Sequence, residues 1–555
     1  MPQEALGFNS PTVIGKLQGT GMQRRDILKA GATACMVSSA GLARPALAQS
    51  SGTRVLKFIP QSDIAVVDPI VTTAYVTRNH AYVIYDTLYG IDADFRPQPQ
   101  MAEGHSVEDG GRRVSITLRP GLKFHDGEPV RAGDAVASIR RWAQRDAMGQ
   151  ALMAATDELK AEDDRRLSFR LKRPFALLFD ALAKVSSPCC FVMPERIASG
   201  DANTPIRDVI GSGPFRWVAG ERVPGSRVVY ARNTDYVPRE GGGAAQWTSG
   251  PKRANFDRIE WNVIPDAGTA AAALQSGEAD WWEQPGADLL PLLGRNRNIV
   301  VEQYDPTGLM GLLRFNHLHP PFNNPGVRQA LLGAVQQSDY MSAVIGTDSS
   351  LWRDKVGFFP QGTPMASQVG LEAVASPRDM DKVKRDLVAA GYKNEKVVLI
   401  AAADFPNLNA LAQVGRDMLT RAGMNVEFVS TDWGTVVQRR ASREPPERGG
   451  WNVFFTFFAG LDFFTPASHL GLRGNGREGW FGWPTLPRLE ELRTAWLEAP
   501  DQAAQQKIAA DIQAQAFQDV PYLPLGQYFQ PWAYRRGING VLKGIPMFWN
   551  VQRAS

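Results

Sequence analysis

His317 and His319 stand two residues apart in an extended stretch, so both imidazoles could face one side of a strand and share a metal ion. No third ligand follows at metal spacing, so neither a metal nor any other cofactor is expected. His125-Asp126, within FHDGE, has the composition of an acid–base pair. It falls between a strand and a helix start, where a turn with a satisfied imidazole is the plainer reading. Cys189 and Cys190 are adjacent, too close to bridge each other without strain, and read as two small thiols with no redox or metal role. Carboxylates are numerous, yet no two are marked out as a glycosidase pair. H-E-x-x-H, G-x-S-x-G and the P-loop pattern are absent. GSGPFR at 211–216 lacks the third glycine and the helix of a phosphate loop and reads as a turn entering a strand. What remains is aromatic: Trp281-Trp282, Tyr304, Trp433, Phe457-Phe458 and Phe463-Phe464 lie in or just after apolar runs. Aromatic walls hold a ligand through apolar area and bring few reactive groups, which suits a binder better than a catalyst.

The elements that must position these rings are clearest over 378–458. Residues 379–390 read as a helix stopped by Gly391. KVVLIAA at 396–402 is a continuous apolar strand, and Leu408, Leu411, Ala412, Met418 and Leu419 follow at helical spacing. NVEFVS at 425–430 and WNVFFTFF at 451–458 are two further strands. Strand, helix and strand with apolar runs imply a parallel unit covered on both faces. Ligands of such sheets gather at the carboxyl ends of the strands, here near Asp404, Thr431–Trp433 and Ala459–Asp462. Elsewhere, 114–118 reads as a strand, LKF at 122–124 as the start of another, and Asp134 as the opening of a helix through Ile139 and Trp142. A last helix is expected from about Asp501 to Gln518.

With 555 residues the chain has room for several domain-sized units. The formal net charge is +4, and residues 1–48 carry five bases against two acids, so the remainder is nearly neutral. That speaks against a nucleic-acid partner. Residues 22–48 have the three parts of an export signal: Arg24-Arg25, a weakly apolar run from Ala30 to Ala43, and small residues at Ala46 and Ala48. The paired arginines point to the twin-arginine route, with Met22 as the alternative start. The run is too short and too weakly apolar for a membrane anchor.

Several stretches together resemble the family 5 extracellular solute-binding proteins, the dipeptide, oligopeptide and nickel-type receptors of ABC importers. They are LRPGLKFHDGEPVRAGDAVASIRRW (118–142), GSGPFR (211–216), LQSGEADWWE (274–283), RFNHLHPPFNNPGVRQAL (314–331), LTRAGMNVEFVSTDWGTVVQRR (419–440) and YLPLGQYFQPWAYRRGINGV (522–541). They occur in family order and cover roughly 54–550.

The resemblance implies an α/β, two-lobed periplasmic-binding-protein fold of type II, with an extra subdomain and a hinge between the lobes. Residues 1–48 would be extension and signal; 49–300 plus 520–555 the first lobe, with the subdomain at about 86–204; and 301–519 the second. The implied protein is a monomer in the periplasm. It captures a peptide or peptide-like solute between the lobes and hands it to an ABC permease and ATPase complex at the inner membrane. An opine, an oligosaccharide or a metal chelate is the alternative cargo, and an exported hydrolase the alternative activity. Peptide-binding members hold the ligand's amino group with an Asp just after the aromatic strand. Asp462 matches with one residue of slippage and is expected to meet a ligand cation. Trp433, Phe457 and Phe458 are its expected walls, and Tyr75 and Trp282 complete the expected ligand-binding set. The sequence departs from the family where Phe457-Phe458 replaces the usual Gly-Trp, and where Gln337-Ser338-Asp339 stands in place of the usual D-R. No arginine is singled out as a carboxylate partner.

Overall fold

The computed structural model describes residues 54–241 and 243–554; the expected export signal lies outside them. Lys396–Ala402 is a strand because its six residues after Lys396 are apolar and all are buried, with cover on both faces. It pairs in parallel with Asn425–Thr431 on one side and Val453–Ala459 on the other. The helix Pro406–Arg421 makes the crossover and lies on this sheet at Gly415. A Cβ there would stand 1.9 Å from the Phe455 ring, so only glycine allows the approach. Val453–Ala459 continues antiparallel to Leu309–Phe315, which pairs with Tyr522–Tyr528, and Trp352–Arg353 forms the edge of this six-stranded sheet.

A second sheet has seven strands, in the order Ile299–Glu302, Trp532–Arg535, Trp281–Trp282, Val55–Ile59, Arg258–Asn262, Arg227–Arg232 and Phe215–Trp217. Its centre is parallel, since Val55–Ile59 runs with Arg258–Asn262 and with Trp281–Trp282. These two sheets are the cores of two lobes, the arrangement that the family resemblance implies. The chain passes from one to the other after Glu302 and returns after Tyr528. The crossing back therefore comes later than 520, because Tyr522–Tyr528 is a fully buried strand of the second lobe's sheet.

A four-stranded antiparallel sheet spans 102–171, with Ala132–Ala143 and Ala147–Ala155 packed against it, within the stretch expected to form the subdomain. Asp134 lies in the first turn of its helix, where its carboxylate accepts the Arg131 and Glu195 N–H groups, each at 2.7 Å. Two buried ion pairs tie this region to the first lobe: Asp68 to Arg141 at 2.8 Å and Asp86 to Lys252 at 2.7 Å. LKF at 122–124 forms no strand; Lys123 makes a single bridge to Pro129. Among the described residues no helix is long and apolar enough to cross a membrane.

Candidate functional site

The strand Val453–Ala459 alternates its side chains between two faces. Phe455 and Phe457 turn toward the helix Pro406–Arg421, where Phe457 meets Phe405 edge-on at 5.6 Å. Phe454 and Phe458 turn the other way and meet Trp480 at 5.7 and 5.2 Å. Trp433 starts the helix Trp433–Arg439, fixed by its own N–H donating to Asp404 at 2.7 Å and by Asp432 capping Thr435 N–H at 2.9 Å. The three strand ends named from the sequence thus bring Phe405, Trp433, Phe457 and Phe458 to one wall. The first lobe supplies the facing wall from Gln61 to Thr77. Between them is a cavity of about 310 Å³, within the size range of small-molecule sites.

Tyr75 begins the helix Tyr75–Ile84 and reaches from the first lobe onto the second. Its hydroxyl donates to Asp462 Oδ2 and accepts the Ala459 N–H at 2.5 Å. The ring stacks toward Phe457 at 6.5 Å, and the Arg78 guanidinium lies over it at 4.6 Å. Gly460 lets the chain turn here, since a Cβ would stand 2.2 Å from the Thr307 carbonyl oxygen. Burial raises the pKa of Asp462, against the opposing pull of Arg78, the Tyr75 hydrogen bond and Lys184. Burial and Asp462 together raise that of Tyr75, which keeps the phenol a donor.

Asp462, expected to meet a ligand cation, is thus 5% exposed and meets Tyr75, with Oδ1 unpartnered and no place on the cavity wall. Trp282, expected in the ligand set, packs in the first lobe with Ile59, Leu274 and Ala533 and lines no described cavity. The next residue, Glu283, does reach a small polar cavity beside Arg78 and Asp305. It accepts from Asn79 at 3.0 Å and from the Gln61 N–H at 2.8 Å. Burial raises Glu283 to about 7 and Asp305 to about 6.

Two polar groups on the main cavity wall were not singled out from the sequence. Asp63 accepts the Gly225 N–H at 2.7 Å through Oδ2, while its buried Oδ1 has no partner. Arg440 ends the helix Trp433–Arg439 and points among aromatic rings. In the sequence it is the second of two arginines, a pattern that reads as a solvated helix end.

The other chemical candidates are engaged elsewhere. His317 and His319 bond the Pro521 and Arg443 carbonyl oxygens at 3.1 and 2.9 Å, and no cluster of metal-ligating residues occurs among the described residues. His125 bonds Gly213 O at 3.2 Å and Gly211 N–H at 3.3 Å, while Asp126 pairs with Arg196. Cys189 and Cys190 are buried free thiols, both with raised pKa values through burial. A G-x-G-x-x-G run does occur at 474–479. It follows a 3-10 turn rather than a strand and opens no α-helix, so it is no dinucleotide fingerprint. A larger cavity, about 400 Å³, lies by Phe95, Phe464 and Trp496. Its lysine, Lys184, is paired with Asp146 at 2.8 Å, while Asp180 on the same wall makes no ion pair among the described residues.

Comparison with known proteins agrees with this architecture. Over 537 residues the chain is 34% identical to the probable peptide ABC transporter periplasmic-binding protein y4tO of Sinorhizobium fredii, covering 96% of this chain and all of that one. The periplasmic binding protein DppA of Helicobacter pylori, solved with the peptide STSA, superposes with a TM-score of 0.74 at 21% identity, over 90% of this chain and 98% of that one. AgaA of A.tumefacien, solved with agropinic acid, gives 0.74 at 21% over 90% and 99%. The family described as bacterial extracellular solute-binding proteins, family 5 Middle, matches residues 96–466. The chain belongs to the family 5 bacterial extracellular solute-binding proteins.

Proposed function

We propose that this protein is the cargo-binding component of an ABC importer, taking a peptide or peptide-like solute from the periplasm in the cleft between its lobes. The observation that carries this reading is the cavity itself, walled by residues 61–77 of one lobe and by Phe405, Trp433, Phe457 and Phe458 of the other. A solute touching both walls favours the closed arrangement by its differential affinity, and closure presents the loaded form to a permease and its ATPase. Tyr75, Trp433, Phe457 and Phe458 are the proposed contact residues. Tyr75 also bonds across the cleft to Ala459 and Asp462. The relative named for peptide transport and the neighbour solved with a peptide support peptide cargo. The neighbour solved with agropinic acid favours a second reading, a receptor for an opine-like acid. The twin-arginine leader at Arg24-Arg25 is the proposed export route, and the mature protein is proposed to act as a monomer.

The test is thermal unfolding of the mature protein against short peptides, opines, oligosaccharides and metal chelates, with mass spectrometry of each ligand afterwards. Cargo at a hundred times its Kd adds about 2.7 kcal/mol. A shift with intact peptide supports the first reading, and a shift with an opine alone supports the second. Recovery of cleaved ligand would replace both with a hydrolase.

A further inference from the structure

The chain crosses between the lobes after Glu302 and again after Tyr528, and both crossings border the small polar cavity beside Arg78. Asp305 comes from the first crossing and Gln530 from the second, around a volume of about 50 Å³. The first lobe contributes Gln61, Arg78 and Glu283. The second lobe closes the cavity with Leu309 and Ala459, which pair at the end of its sheet. Arg78 is 5% exposed, lies over the Tyr75 ring, and has Nε and Nη1 buried without partners. Its charge acts on three acids: the buried Glu283 of the first lobe, Asp305 of the crossing and the buried Asp462 of the second lobe. The hydrogen-bond partners of the two cavity acids carry no charge. Glu283 meets Asn79 and the Gln61 N–H, and Asp305 meets Thr307 and the Gly308 N–H. Tyr75 turns its hydroxyl to Asp462, on which Lys184 also acts, itself paired with Asp146. Glu302, at the start of the first crossing, meets the Tyr304 and Tyr534 hydroxyls instead. Three ionised acids around one guanidinium would leave the closed hinge with unbalanced charge away from water, which is costly.

We propose that the hinge is worked by a proton: closing the lobes takes up a proton from solvent at this cavity, held chiefly by Glu283 and in part by Asp305, and opening releases it. When the lobes part, Leu309 and Ala459 withdraw with the second lobe and water reaches the cavity. Burial in the closed arrangement holds Glu283 at about 7 and Asp305 at about 6, above their ordinary 4.5 and 3.8. Hydration on opening lets both return toward those ordinary values. The closed form therefore binds the proton more tightly. Closure gains as pH falls through the raised values, and gains no more once the open form is protonated too.

The experiment needs no cargo. Nitroxide labels at Arg173→Cys and Glu498→Cys report the separation of the lobes by double electron–electron resonance on the mature protein. These two residues pair at 2.6 Å between the subdomain and the second lobe, and the native Cys189 and Cys190 are buried away from the label. As pH falls from about 8 to about 5.5 the labels should move to the short distance, the closed-to-open ratio rising by up to about tenfold per pH step of one. Glu283→Gln, uncharged at any pH, should be more closed than the unsubstituted hinge at the alkaline end and respond only weakly to pH. Asp305→Asn should lose a smaller part of the response, at the acid end. Asp462→Asn should keep the part that belongs to Glu283, which separates this cavity from the Tyr75 contact. A label separation independent of pH with the hinge unsubstituted would overturn the inference. So would a folded Glu283→Gln protein that keeps the whole response, or loss of the whole response in Asp462→Asn.

Discussion

Replacing Tyr75 by Phe removes one oxygen and keeps the ring that stacks toward Phe457 and lies under Arg78. Two bonds between the lobes go with it, the donation to Asp462 and the acceptance from Ala459. A bond to a carboxylate is worth about 1.5–3 kcal/mol and a neutral one about 0.5–1.5 kcal/mol. When the lobes part, water replaces both, so their loss falls on the closed arrangement alone. Closure should then weaken by about 2–4 kcal/mol, or roughly 30- to 1,000-fold, and cargo affinity with it. Calorimetry should show the weakened Kd, and small-angle scattering should show less compaction at the same cargo concentration. An affinity within a factor of three of wild type, with unchanged scattering, would refute the assignment of Tyr75 as the bond that favours closure. The same contact carries a pH dependence. Burial in the closed arrangement raises the pKa of Asp462, so that arrangement binds the proton more tightly than the open one. Closure is therefore favoured as pH falls through the raised value toward the ordinary carboxylate range, and Asp462→Asn should remove that part of the slope.

Three further predictions concern other parts of the fold. Lys252→Met leaves Asp86 buried without its counter-ion and should cost about 3–5 kcal/mol of stability, read by denaturant unfolding. Burial raises Glu283 from its ordinary 4.5 to about 7, so between those values the folded protein holds a proton that the unfolded chain has released. Its contribution to stability therefore grows as pH falls from about 7 to about 4.5, by about 1.4 kcal/mol for each pH step of one within that window. The wild-type stability curve should lose that component in Glu283→Gln. Gly415→Ala drives a methyl into Phe455 and should cost about 1–3 kcal/mol by forcing the helix Pro406–Arg421 off its sheet, with a lowered Tm.

Much of the second lobe was legible because its strands are nearly continuous apolar runs. Lys396–Ala402 starts and ends where the sequence pattern does, and Asn425–Thr431 runs one residue further. Trp433, Phe457 and Phe458 were legible as cleft residues because parallel strands of one hand carry their ligands at their carboxyl ends. The sheet to which a strand belongs is not a local property. Tyr522–Tyr528 is apolar enough for either core, and its pairing with Leu309–Phe315 decides the matter across about two hundred residues. Trp282 follows the same logic: as one of two aromatic residues in a short strand it could face core or cleft, and the register against Ile59 sends it into the core. Asp462 is singled out only through the family resemblance, with one residue of slippage after the aromatic strand. Its partner Tyr75 lies 387 residues away, and nothing local to Asp462 shows that they meet. Arg440 was missed because a charged pair at a helix end is most often solvated. Only the fold shows four rings converging on it.

The cleft as cargo site is tested most directly by filling it. Ala65 lies exposed on the first-lobe wall of the cavity, so Ala65→Trp occupies the space without disturbing either core. Calorimetry with a solute that binds wild type should show at least a hundredfold loss in this variant, with an unchanged Tm in the absence of solute. Undiminished binding by Ala65→Trp would place the cargo elsewhere and contradict the account.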